Sequence, residues 1–156
     1  PGTEADGWDI PRMLIDYPFE TTRVAVNLIF QGVMERYPDI RFILSHSGGT
    51  LPFLAHRVSV FDKSTPFQDK YPDGALAYIK RFWFDTALSG DPVPLAGLTS
   101  VADTSRILFG TDYPYISPDV VTDETNGFDA WDGLSDPARA AVNRDNAEAL
   151  FPRFAG

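Results

Sequence analysis

At 156 residues, with 44% hydrophobic and 13% aromatic side chains, the chain suffices for one domain with a sizeable core and is unlike a disordered segment. A net charge of −9 excludes the basic footprint of a nucleic-acid or anionic-membrane binder, yet leaves local arginines free to hold a small anionic substrate. The absence of cysteine excludes disulfides and thiolate metal sites and fits a cytoplasmic protein, and no apolar run approaches the roughly 20 residues of a membrane span.

Residues 1–18 carry Pro1, Pro11 and Pro18 around Trp8 and Ile10, and read as an irregular loop. Thr21 or Thr22 is placed to cap a helix running to about Tyr37, where Pro38 stops it, with Val26, Ile29, Phe30 and Val33 forming one apolar face. The run 41–45 is the first strand. Gly48 and Gly49 then lead into a helix from Leu51 to about Phe61, with Pro52 acceptable in its first turn. The stretch 64–73 reads as loop and 74–80 as a turn or two of helix. The second strand, 82–86, is rich in β-formers. Pro92 and Pro94 open a helix to about Val101, and 106–109 is the third strand. Five acidic residues with Pro114, Pro118, Gly127 and Gly133 make 113–133 loop-dominated. Asp136, with Pro137 behind it, caps a last helix to about Leu150.

Strands alternating with helices predict an α/β fold with a parallel sheet. Three strands are too few to close a barrel, which takes eight βα units and about 250 residues. No repeat or linker divides the chain, so 1–156 is one unit. It begins Pro1-Gly2-Thr3-Glu4 rather than with methionine, as a fragment or processed piece would.

Two strand ends carry the candidate chemistry. Phe42-Ile43-Leu44-Ser45-His46-Ser47-Gly48-Gly49 ends an apolar run in an imidazole, and Ile107-Leu108-Phe109-Gly110-Thr111-Asp112-Tyr113-Pro114 ends one in a carboxylate. Ligands gather at the carboxyl ends of parallel strands. There His46 suits a general base or metal ligand and Asp112 a metal ligand or proton carrier. The plainer readings are a core histidine satisfied by a carbonyl and an aspartate in an Asx turn. Asp85 ends the middle strand, either as a third site group or as a cap on the following turn. His56 reads as a surface residue. Arg57 suits an ion pair or a bidentate carboxylate clamp. Tyr113, Tyr115, Trp83 and Phe84 read as core aromatics, those beside Asp112 also as walls for an aromatic substrate. No serine elbow, Walker loop or dinucleotide fingerprint is present.

Together with Tyr37-Pro38-Asp39 and Asn146-Ala147-Glu148-Ala149-Leu150-Phe151, these two motifs resemble the amidohydrolase-related metalloenzymes of the aminocarboxymuconate-semialdehyde decarboxylase family. The resemblance implies the C-terminal part of a metal-dependent (β/α)8 TIM barrel, its strands six to eight, with the N-terminal part absent. It implies a divalent metal, Zn or Mn, ligated by Asp112, with His46 activating a metal-bound water or assisting proton transfer. It puts Arg57 on the substrate carboxylate, in some family members across a homodimer interface. The family's His-x-His pair and its fifth-strand histidine have no counterpart among the two histidines of this chain, so the metal site is incomplete.

Two readings follow. In the first, the parent is a cofactor-free carboxy-lyase, or a related hydrolase, acting on a small, aromatic carboxylic acid. In the second, the segment is a catalytically inert half-barrel with only a structural or assembly role.

Overall fold

The three most apolar runs lie side by side as short parallel strands. In this computed structural model, which describes residues 10–63, 66 and 68–155, they are β1 (Ile43–Leu44), β2 (Trp83–Asp85) and β3 (Ile107–Leu108), with β2 in the middle. The register pairs Leu44 with Phe84 and Phe84 with Ile107, so these three side chains form one row on one face. That row belongs to the hydrophobic core, to which the helices bring Ala25, Ile29, Leu51, Ala55, Ile79, Leu95 and Leu98. The opposite face carries Ile43 beside Trp83 and Asp85 beside Leu108, none of them in the core cluster, and Ile43 is 42% exposed. The α/β class and the parallel sheet are as the sequence predicts.

Two helices, α1 (Asp16–Phe30) and α2 (Val33–Arg36), precede β1; α3 (Leu51–Val60) and α4 (Ala75–Ile79) lie between β1 and β2, α5 (Pro92–Val101) between β2 and β3, and α6 (Pro118–Ala130) follows β3. After them come α7 (Asp136–Ala140), a π-helical stretch Ala141–Asp145, and α8 (Asn146–Leu150). None is long and apolar enough to cross a membrane.

The boundaries correct the sequence reading at four places. The first helix starts at Asp16 and tolerates Pro18 in its first turn, where an N–H has no helical partner to lose. Thr22 is therefore an interior, buried residue; its hydroxyl accepts the N–H of Thr50 at 2.8 Å, capping the start of α3 rather than its own helix. The same helix stops at Phe30 instead of Tyr37, because Gly32 turns the chain with φ +64°. A Cβ at Gly32 would come within 2.9 Å of the Lys70 carbonyl oxygen. The largest departure is 113–133, where α6 replaces the expected loop: the Ser117 side chain caps it and Pro118 occupies its first turn. At α7 the capping residue is Ser135, one position ahead of Asp136. The loop expected for residues 1–9 and at 64, 65 and 67 lies outside the described residues.

Candidate functional site

All three strands point their carboxyl ends the same way, and there the main chain leaves ordinary conformations. Among the described residues, the non-glycine positions with positive φ are His46 (+54°), Ser47 (+54°), Leu88 (+50°) and Asp112 (+69°). Each follows one of the three strands. Such conformations cost free energy in an L-residue and gather where a structure holds a side chain in a set place. Gly48 lets the first turn lie flat on the core: a Cβ there would come within 2.8 Å of the Phe84 ring. Gly49 likewise brings the turn against the Pro18 carbonyl of α1.

The end of β2 ties the two outer turns together. Asp85 Oδ1 accepts the main-chain N–H of His46 at 2.8 Å and that of Ala87 at 3.1 Å. The next residue, Thr86, is buried and faces the other way. Its hydroxyl donates to the Gly110 carbonyl and accepts the Gly110 N–H, both at 3.1 Å. Two successive residues at the end of β2 thus grip the His46 turn and the turn leading to Asp112. A third anchor comes from the π-helical stretch, whose widened turn leaves the Val142 carbonyl free to accept the Phe109 N–H at 3.0 Å.

His46 and Asp112 therefore sit on strands separated by β2, at the same end of the sheet, and both act electrostatically on Asp85. Burial pushes the Asp85 carboxyl above its ordinary value, the two N–H donors and the His46 imidazole pull it down, and Asp112 adds to the rise. The His46 ring is itself fixed, with Nδ1 3.1 Å from the Ala87 carbonyl oxygen. A cleft of about 620 Å³ opens beside His46, with Leu14, Phe53, Leu88 and Val93 among its apolar walls. Asp112 and Arg57 do not line it. Arg57 is exposed near the end of α3, as is its neighbour His56, which matches the surface position expected for His56.

Tyr113 and Tyr115 are not core residues: they are 67% and 85% exposed. Among the described residues no three His, Asp or Glu side chains converge to hold a metal ion. Asp112 is a hard oxygen donor of the kind a divalent cation takes. The roles of Thr86, Ala87 and the Val142 carbonyl were not legible in the sequence, since nothing local marks a residue whose partner lies on another strand.

His46, Asp85 and Asp112 all lie at or just beyond the carboxyl ends of the three parallel strands, the end of such a sheet where ligands gather. The family model for amidohydrolases matches residues 8–153, and the chain belongs to that family. A 6-methylsalicylic acid decarboxylase of Penicillium expansum is 37% identical over 148 residues, covering 94% of this chain and 45% of that protein. A 2-amino-3-carboxymuconate-6-semialdehyde decarboxylase of Dictyostelium discoideum is 31% identical over 104 residues, covering 65% of this chain and 29% of that protein. The crystal structure of a dihydroxybenzoic acid decarboxylase from Polaromonas sp. JS666, with bound manganese and the inhibitor 2-nitroresorcinol, superposes with a TM-score of 0.72 at 28% identity. That superposition covers 86% of this chain and 40% of the other. The chain spans less than half the length of the curated relatives it matches.

Proposed function

We propose that this chain is the C-terminal part of a metal-dependent decarboxylase acting on a small aromatic carboxylic acid. The observation that carries the reading is the joint anchoring of the His46 and Asp112 turns on the end of β2, in a chain whose relatives are named as decarboxylases of aromatic acids. Further support comes from the sheet itself: the face bearing Ile43, Trp83, Asp85 and Leu108 lies outside the core cluster, as the interior face of a barrel does before its other strands are in place. On this reading β1, β2 and β3 are strands six, seven and eight.

In the reaction, a ring carbon exchanges its bond to CO2 for a bond to hydrogen, so one proton must be delivered as the C–C bond breaks. His46 carries that proton, because neutral imidazole both takes and gives a proton near neutral pH. Asp112 is the ligand this chain contributes to the metal, Zn or Mn, whose remaining ligands come from outside it. Arg57 binds the substrate carboxylate, and its exposure on α3 suits an arginine reaching into a partner protomer of a homodimer. Among the described residues no three His, Asp or Glu side chains converge on a metal, so the chemistry assigned to this chain is the proton transfer at His46 and the hold on the substrate.

The same parts would serve hydrolysis of an ester or lactone with His46 as base, so the full-length parent is to be incubated with hydroxybenzoates and with lactones, following CO2 release and ring opening. Turnover of lactones alone overturns the decarboxylase reading. In that parent, His46→Ala should keep its metal and lose at least about 100-fold in turnover, the lower end of what a positioned acid–base group contributes. Asp112→Ala should lose the metal as well, read by elemental analysis. Equal metal content in the two variants removes Asp112 from the role assigned to it.

A further inference from the structure

We propose that Asp85 is a positioning residue that holds His46 in the Nδ1–H tautomer, leaving Nε2 as the nitrogen that exchanges protons. This rests on the reading of His46 as the proton carrier, and it concerns a residue that makes no contact with substrate on that reading.

The geometry is a closed ring of three hydrogen bonds. One carboxylate oxygen, Asp85 Oδ1, accepts from the main-chain N–H of His46 (2.8 Å) and from that of Ala87 (3.1 Å). The Ala87 carbonyl in turn lies 3.1 Å from His46 Nδ1. A carbonyl only accepts, so the proton of that bond belongs to Nδ1, and in neutral imidazole Nε2 then carries the lone pair. The second lone pair of the same carbonyl is taken by the Ser89 hydroxyl, at 3.1 Å. Ala87 and Ser89 are 3% and 5% exposed, so water has little access to replace either donor.

Nothing else described in the turn constrains the ring. The local bonds of Gly48 N–H to the Ser45 carbonyl and Gly49 N–H to the His46 carbonyl shape the main chain without touching the imidazole. The φ of +54° at His46 needs an external hold, and Asp85 supplies it from the neighbouring strand. Take the carboxylate away and the His46 and Ala87 segments lose their shared anchor, and the imidazole returns toward the Nε2–H form that predominates for free histidine in water.

The chain has two histidines, and His56 is exposed on α3, outside the site. In this 156-residue chain a His56→Gln background therefore leaves a single ring to observe by long-range 1H–15N correlation spectra of protein labelled with 15N-histidine, recorded at alkaline pH. The chain with Asp85 intact should show a protonated Nδ1 and an unprotonated Nε2. Asp85→Asn, whose amide oxygen still accepts both N–H groups, should keep that pattern, and Asp85→Ala should lose it toward the solution mixture. Asp85→Glu, which retains the charge but moves it by one methylene, should lose it too and serves if the alanine variant does not fold.

An Nε2–H ring in the unsubstituted site overturns the proposal. So does a folded Asp85→Ala or Asp85→Glu protein that keeps the Nδ1–H ring, or a folded Asp85→Asn protein that loses it. The spectra need no turnover. If they come out as expected while His46→Ala leaves the parent's activity intact, the proton-carrier reading fails and the positioning stands.

Discussion

Asp85 bears a charge that its surroundings would sooner protonate. Its carboxyl is raised above the ordinary carboxylate value, burial being the largest cause. The folded state therefore binds the proton more tightly than the unfolded chain, and stability falls as pH rises from the unfolded value through the folded one. Above that window the penalty of the buried charge is fully present; below the unfolded value it is gone. Asp85→Asn, which keeps an accepting oxygen without the charge, should raise the urea midpoint at pH 7. The gain should shrink toward zero as the pH falls to about 4, the range where an ordinary carboxylate titrates. At the adjacent position, Thr86→Val keeps the shape but leaves the Gly110 N–H and carbonyl without their shared partner. The cost should be about 1–3 kcal/mol in equilibrium unfolding. His46 and Asp112 were legible in the sequence because each interrupts an apolar run beside glycine. Thr86 was not, because its meaning depends on a chain segment 24 residues away.

Among elements, the strands and the amphipathic helices announced themselves, and α6 did not. Its segment holds prolines, glycines and acidic residues that locally favour loop, and only Ser117 followed by Pro118 marks a helix start. Tertiary packing decides the matter: Phe128 is 1% exposed against Phe109, and Glu124 accepts the Gly90 N–H at 2.6 Å. The end of the chain is fixed to the sheet in a similar way. Asn146 donates from Nδ2 to the carbonyls of Thr104 and Ile107, both at 2.8 Å, on the side of β3 that β2 does not occupy. Asn146→Ala should leave those carbonyls unsatisfied and destabilise the fold by about 1–3 kcal/mol, measured by denaturant unfolding. Residue and element are linked at this point, since the same helical run supplies the Val142 carbonyl that holds Phe109 just before the Asp112 turn.

On the scale of the whole molecule, one face of the sheet packs into the core, and the other lies outside the core cluster, with Ile43 42% exposed and Leu108 7% exposed. Exposed Ile43 and the absence of a third metal-ligating group among the described residues both suit a chain that completes its site with further polypeptide. The chain by itself should show no decarboxylase turnover and bind Zn²⁺ or Mn²⁺ no more tightly than micromolar, by calorimetry with inductively coupled plasma analysis of the purified protein. Tight stoichiometric metal together with turnover would refute the half-site reading.

Sequence alone determined the fold class, the three strands and the two residues that end the outer ones, because buried parallel strands must be apolar throughout and a polar residue at their ends stands out. Only the tertiary structure decided that β2 lies between them and that Asp85 and Thr86 grip opposite neighbours. It likewise placed Thr22 as a cap on a helix other than its own. Those outcomes rest on hydrogen bonds between segments distant in the chain, and no local pattern of residue types encodes which distant partner a buried polar group will meet.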